Sequence, residues 1–214
     1  KSDATTTELV VGEKELTGKE EIPQDAVSVE AAEIKILKLI HESLDSVDAV
    51  LLSGSKPKIW STDLYAAIAG ITKDHNKILL ADYIGQDLEL TLKSVTPDII
   101  KINDTEFIQT FMEESGQNVS EDELKNEIIC LSKKLNNIVV VTRGTQSTFA
   151  AQNGKFEECP VIKTQAVNTT ACGDSFNSGF LYEFLNTKDF SASLKKGTWC
   201  ASKNAESEIP GNIL

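Results

Sequence analysis

Residues 77–102 read KILLADYIGQDLELTLKSVTPDIIKI, and the order of patterns inside this stretch decides the fold class. A short apolar run, Lys77 to Ala81, is followed by helically spaced apolar residues around Asp87 to Val95, and then by a second apolar run, Asp98 to Ile102. Runs this short, apolar along their length rather than alternating, suit strands buried on both faces of a parallel sheet. Strand, helix and strand in that order imply a right-handed crossover.

The same rhythm extends outward. Upstream, apolar residues from Ser28 onward (Ala31, Ile34, Leu37, Ile40, Leu44) fall at helical spacing, the run Val47 to Leu52 reads as a buried strand closed by Ser53-Gly54-Ser55, and Thr62 to Asp74 reads as a helix. Downstream, helices are expected over Asp104 to Glu114 and Glu121 to Leu135, then a strand over Ile138 to Thr142. Ser147 to Gln152 and Lys155 to Val161, joined by Asn153-Gly154, form a hairpin pattern that adds a β-meander to the parallel core. Gly173 to Asn186 and Phe190 to Glu206 are the last two expected helices. Before all of these, Thr5 to Val11 reads as a strand and Glu13 to Asp25 as an irregular connection. The expectation is one α/β domain over residues 1–214, a mostly parallel sheet between layers of helices.

The composition fits that class: 214 residues, 40% hydrophobic and 25% charged. A net charge of -12 speaks against a nucleic-acid surface, which needs a clustered basic face. The four cysteines, Cys130, Cys159, Cys172 and Cys200, include no C-x-x-C pair and lie near neither histidine, so zinc and a disulfide framework are not expected. Neither an apolar run of about eighteen residues nor a basic-plus-apolar leader is visible, and a reduced, cytoplasmic setting without a membrane partner is expected.

The chemistry concentrates in residues 168–181, NTTACGDSFNSGFL. Small and hydroxylated residues precede a single acid, and an amphipathic helix follows. Such a loop presents unpaired N–H groups and the positive end of the helix dipole to an anion. Phosphoryl transfer asks mainly for charge neutralisation and an in-line hydroxyl, and a carboxylate at the same helix start can take the hydroxyl proton. Asp174 has the right place for this, although an Asp at a helix start is also a common cap.

At this point the sequence becomes recognisable. Asn168 to Phe176, NTTACGDSF, resembles the C-terminal signature of the ribokinase-like (PfkB) carbohydrate kinases, D/N-T-x-G-A-G-D-x-F. The resemblance implies that Asp174 is the catalytic base and that the N–H groups of Ala171, Cys172 and Gly173 form an anion hole. Ala171 and Cys172 stand where the family has Gly and Ala; if position 171 needs a positive φ, Ala is strained there. Lys101-Ile102-Asn103-Asp104-Thr105-Glu106 resembles the family's K-P-N-x-x-E stretch. That implies Lys101 beside ATP, and Asn103 and Glu106 organising Mg²⁺, largely through water. The same Asn and Glu also suit the cap and first turn of a following helix.

Val140 to Ser147 is similar to the family's T-x-G-x-x-G strand end along the nucleotide, which carries over Thr142 and Gly144, with Ser147 in place of the second Gly. Arg143 has two readings there, a phosphate contact and an ordinary solvated loop residue. Ser53-Gly54-Ser55-Lys56-Pro57 resembles a turn of the phosphosugar branch, implying Gly54 and Ser55 at the sugar and leaving Lys56 or Lys58 as candidate phosphate contacts. A plain turn uses the same Gly and Pro. Asn204, in the helix that flanks adenine in the family, is the remaining ATP candidate. Trp199, Ala201, Leu181, Phe184 and Leu185 read as packing residues.

The resemblance implies a ribokinase-like three-layer αβα sandwich corresponding to the later part of a member, with the lid and first strands missing. It implies an ATP- and Mg²⁺-dependent kinase acting on a sugar or a sugar phosphate such as fructose 1-phosphate, fructose 6-phosphate or tagatose 6-phosphate, with a homodimer through the lid region. Two alternatives stand beside it: a ribokinase- or nucleoside-type kinase acting on an unphosphorylated sugar, and a non-catalytic sugar- or nucleotide-binding relative.

Overall fold

The computed structural model describes residues 28–112 and 119–213. The expected strand Thr5 to Val11, the connection Glu13 to Asp25 and the end of the expected helix Asp104 to Glu114 lie outside the described residues.

Ser28 caps the first helix, α1 (Val29–Ser43), by accepting from the N–H of Ala31. A single 3-10 turn, Leu44–Ser46, buries Leu44 and turns the chain into β1 (Ala49–Ser53). Then follow α2 (Leu64–Asp74), β2 (Ile78–Asp82), α3 (Gly85–Ser94), β3 (Ile99–Asn103), α4 (Asp104–Phe111), α5 (Glu121–Leu135) and β4 (Ile138–Arg143). The meander adds β5 (Gln146–Gln152) and β6 (Lys155–Cys159), and the chain closes with α6 (Cys172–Thr187) and α7 (Phe190–Glu206).

The sheet has six strands in the order β1-β2-β3-β4-β5-β6; β1 to β4 are parallel, and β5 and β6 each pair antiparallel with their predecessor. This is the ribokinase-like architecture, a mixed and mostly parallel sheet with helices on both faces. Because successive parallel strands step in one direction, crossovers of a single hand put their helices on one face. Strand alternation keeps the two cores apart. Leu80, Ile99, Ile138, Val140 and Ala150 meet Phe176, Phe180 and Leu194 of α6 and α7 on one side. Ile102, Val139, Val141 and Ala151 meet Phe107, Leu124 and Ile128 of α4 and α5 on the other, with Ala81 and Ile100 continuing that face under α2 and α3.

Local chemistry explains most element ends. The turn between β5 and β6 places Asn153 at φ 51° and Gly154 at φ 81°, the paired positive values that a two-residue hairpin loop demands. β6 stops at Cys159 rather than Val161 because Pro160 has no N–H to offer the ladder. Ser120 and Glu123 form a reciprocal capping box at the start of α5, and Asn136 ends it in the left-handed conformation.

Helices α6 and α7 approach closely through glycines. A Cβ on Gly179 would lie 2.6 Å from Cys200 Sγ and 2.9 Å from the Lys196 carbonyl, and one on Gly197 would lie 3.0 Å from the Phe176 carbonyl. The buried face of α7 is therefore built from Ser193, Leu194, Gly197, Thr198 and Ala205. Trp199 falls outside that face and is 37% exposed, against its reading as a buried packing residue. Leu181 is buried, and Phe184 packs on the same core, as expected. All four cysteines are free thiols.

Candidate active site

The parallel strands end together, and their last residues face the N-terminus of α6. Register sets Ser53 beside Asp82 and Asn103 beside Thr142, at the carboxyl ends where open α/β sheets place ligands. On β2, alternation turns Asp82 to the same face as Leu80, toward α6. Asp82 Oδ2 accepts from Asn177 Nδ2 at 2.6 Å and from Lys101 Nζ at 3.1 Å, and lies 3.4 Å from Ser53 Oγ. The Lys101 and Asp82 side chains are only 8% and 14% exposed, so the pair is largely removed from solvent and each charge depends on the other.

Asp174 stands in the first turn of α6, exposed, with Ser53 Oγ donating to its Oδ1 at 3.1 Å. Ala171, the N-cap before α6, adopts φ 62° and ψ 13°, the left-handed conformation that a Cβ disfavours. The positive φ considered for this position is thus present, and Ala carries the strain where Gly would not.

Of the three N–H groups expected to form an anion hole, that of Cys172 donates to the Thr169 carbonyl at 3.3 Å and closes a turn. Those of Ala171 and Gly173 are not spent on backbone carbonyls among the described residues. Lys101 reinforces this end of the helix. Its Nζ lies so near Gly173 that an added Cβ would come within 3.0 Å of it. The Lys101 ammonium and the α6 N-terminus thus meet at one point, and both groups attract an anion.

Beside it opens a cavity of about 610 Å³. Thr142 and Gly144 at the end of β4, Cys172 and Gly173 at the start of α6, and Ala201 and Ala205 of α7 are among its walls. Its size falls in the range of small-molecule pockets, and its lining is mostly apolar. Gly144 occupies φ 59° in the β4–β5 turn, a conformation that favours glycine.

Asn204 sits behind this wall rather than on it. Fully buried, it donates to the Thr170 carbonyl at 2.7 Å and to Cys172 Sγ at 3.2 Å, and its Oδ1 accepts from the Gly211 N–H at 2.6 Å. It fastens the loop before α6; its neighbours Ala201, Ser202 and Ala205 face the cavity. Asn103 and Glu106 form a reciprocal capping box on α4: Asn103 Oδ1 accepts from the Glu106 N–H at 2.9 Å, and Glu106 Oε2 accepts from the Asn103 N–H at 2.9 Å. The capping role is therefore realised, and Glu106 Oε1 lies outside the box.

No group of three or more His, Cys, Asp or Glu side chains is placed to hold a metal among the described residues. A single carboxylate suits a magnesium ion that keeps most of its waters and binds chiefly through substrate phosphates.

Arg143 proves structural. It is 9% exposed, its guanidinium pairs with Glu121 and Gln146, and it stacks 3.8 Å from the Phe149 ring centroid. In the turn after β1, Gly54 takes φ 77°, its N–H donates to the Asp82 carbonyl at 2.9 Å, and its own carbonyl accepts from Tyr65 at 3.2 Å. Ser55 is exposed at the tip of this turn. Lys56 is committed to Asp87 in a pair shielded from solvent, while Lys58 is exposed. Burial, and secondarily the Asp87 charge, raises the Tyr65 phenol above its ordinary value.

Three site residues escaped the sequence reading: Ser53, Asp82 and Asn177. Asn177 is detectable in principle, since it lies three residues after Asp174 on one helix face. Asp82 is signalled only as the polar last residue of an apolar strand.

A tagatose-6-phosphate kinase of Staphylococcus epidermidis is 29% identical over 181 residues, covering 83% of this chain and 56% of the relative; the chain thus spans little more than half that protein's length. Among solved structures, phosphofructokinase-2 from Escherichia coli in complex with potassium superposes with a TM-score of 0.71 at 14% identity, covering 81% of this chain and 56% of that one. Arabidopsis thaliana ribokinase complexed with ribose and ATP gives 0.65 at 20% identity, with 82% and 54% covered. These two show the shared fold. The sequence pattern of the pfkB family carbohydrate kinases matches residues 4–213, and the chain belongs to that family.

Proposed function

We propose that the protein transfers the γ-phosphoryl group of ATP to a hydroxyl of a sugar phosphate, with Asp174 as general base. The observation that carries this reading is the sharing of one helix start between two functions. Gly173 and Cys172 border the cavity, and Asp174, the next residue, turns an exposed carboxylate toward the strand ends.

In this arrangement the base of ATP occupies the apolar cavity and the phosphates run toward the N-terminus of α6. Lys101 and the N–H groups of Ala171 and Gly173 neutralise the charge on the transferring group. Asp174 accepts the proton of the sugar hydroxyl as its oxygen bonds to the γ-phosphorus and the bond to ADP breaks. Gly54 and Ser55 line the sugar side, while Thr142 and Gly144 border the nucleotide. Asn204 holds the loop that presents the N–H groups. Glu106 and Asn103 would hold Mg²⁺ through water, and that ion supplies further charge neutralisation on the phosphates. The tagatose-6-phosphate kinase relative favours a phosphorylated sugar as acceptor.

The test is ADP release by the full-length protein with Mg-ATP and tagatose 6-phosphate, fructose 6-phosphate, fructose 1-phosphate, fructose or ribose. Release dependent on a phosphorylated sugar supports the reading. Release with fructose or ribose alone moves the substrate to a free sugar, and no release with any of them leaves a binding relative.

A further inference from the structure

Ser53 is the last residue of β1, and its backbone is fixed on both sides: Ser53 registers with Asp82, and the next N–H, that of Gly54, continues the ladder to the Asp82 carbonyl. Its hydroxyl stands between two carboxylates, 3.1 Å from Asp174 Oδ1 and 3.4 Å from Asp82 Oδ2. A serine has one hydrogen to give. Asp82 Oδ2 already receives the Lys101 ammonium and the Asn177 amide, whereas Asp174 stands exposed in the first turn of α6. The shorter contact and the unequal supply of donors both send the Ser53 hydrogen to Asp174.

We propose that Ser53 is a positioning residue for the base: it holds Asp174 Oδ1 so that Oδ2 is the oxygen presented to the substrate hydroxyl, with the end of the β1–β2 ladder as the rigid mount. This rests on the kinase reading above. An exposed carboxylate at a helix start can rotate about two side-chain torsions, and a hydrogen bond to one oxygen removes most of that freedom. Orientation of a reacting group matters steeply, so the consequence is catalytic rather than structural. The backbone explains why the hydroxyl itself does not wander: Ser53 is the last residue of a strand registered with β2, and the Gly54 N–H ties the chain to the Asp82 carbonyl just beyond it.

The experiment compares wild type, Ser53→Ala and Ser53→Thr in the full-length protein, measuring kcat, both KM values and the thermal midpoint. Ser53→Ala is expected to lower kcat by roughly 10- to 100-fold while each KM stays within about twofold and the midpoint is unchanged, because only a transition-state orientation is lost. Ser53→Thr, which restores a hydroxyl, is expected to recover most of the turnover. An unchanged kcat in Ser53→Ala overturns the proposal. So does a raised sugar KM at constant kcat, which would make Ser53 a substrate contact, or a fall in the midpoint that tracks the loss of activity. Wild-type protein without turnover overturns the kinase reading and this proposal together, whereas active wild type with an indifferent Ser53→Ala overturns this proposal alone.

Discussion

Asn177 of α6 donates to Asp82 of β2 at 2.6 Å, across 95 residues of chain, and this bond joins the sheet to the helix that carries the base. Lys101 closes the same cluster from β3 at 3.1 Å. The three residues fix the floor on which Ser53 and Asp174 meet.

Removing Asp82 should therefore cost stability before it costs chemistry. Asp82→Ala leaves the Lys101 ammonium buried without its partner, a loss of about 3–5 kcal/mol for a well-shielded pair. Urea unfolding should show a midpoint lowered accordingly, and a midpoint within error of wild type would mean that water replaces the carboxylate.

Ala171→Gly should stabilise the protein. At φ 62° a Cβ is disfavoured, and relief of that strain is expected to add about 1 kcal/mol, read as a higher unfolding midpoint. A lower midpoint would indicate that the Ala side chain contributes packing that outweighs the strain.

Burial pushes the Tyr83 phenol from 10.0 up to about 12. Between those values the unfolded chain releases its proton while the folded chain keeps it. The contribution is thus complete below pH 10 and declines as the pH rises toward 12, by roughly 2–3 kcal/mol in all. Melting temperatures measured from pH 9 to pH 12 should fall steeply in wild type and less steeply in Tyr83→Phe. Parallel curves would rule out Tyr83 as the source.

Gly179→Ala should separate α6 from α7. With a Cβ 2.6 Å from Cys200 Sγ and 2.9 Å from a carbonyl, overpacking of about 1–3 kcal/mol is expected in chemical denaturation. Pairing it with Cys200→Ala should recover part of the loss, and the remainder belongs to the Lys196 carbonyl.

Elements marked by local chemistry were legible in the sequence. Ser120 and Glu123 bound α5 and Asp189 caps α7, and both helices occupy the expected spans. The strained position at Ala171 was also readable, because the signature there normally carries Gly. Asp82 was not readable: it ends an apolar strand, and its partners lie 19, 29 and 95 residues away, so only the assembled sheet brings them together. Trp199 misled for a related reason. Its place in an expected buried helix suggested packing, but α6 and α7 meet through Gly179 and Gly197, and Trp199 falls off that face, 37% exposed. Asn204, expected beside the nucleotide, has its amide bonded to Thr170, Cys172 and Gly211, partners that only the folded loop brings to it.

The role of Asp174 as base is tested by the rate of ADP formation by Asp174→Asn beside wild type, at saturating Mg-ATP and sugar phosphate, with ATP affinity measured separately. Turnover is expected to fall by about 100-fold or more with ATP affinity retained. An Asp174→Asn protein that turns over within a few-fold of wild type would contradict that role.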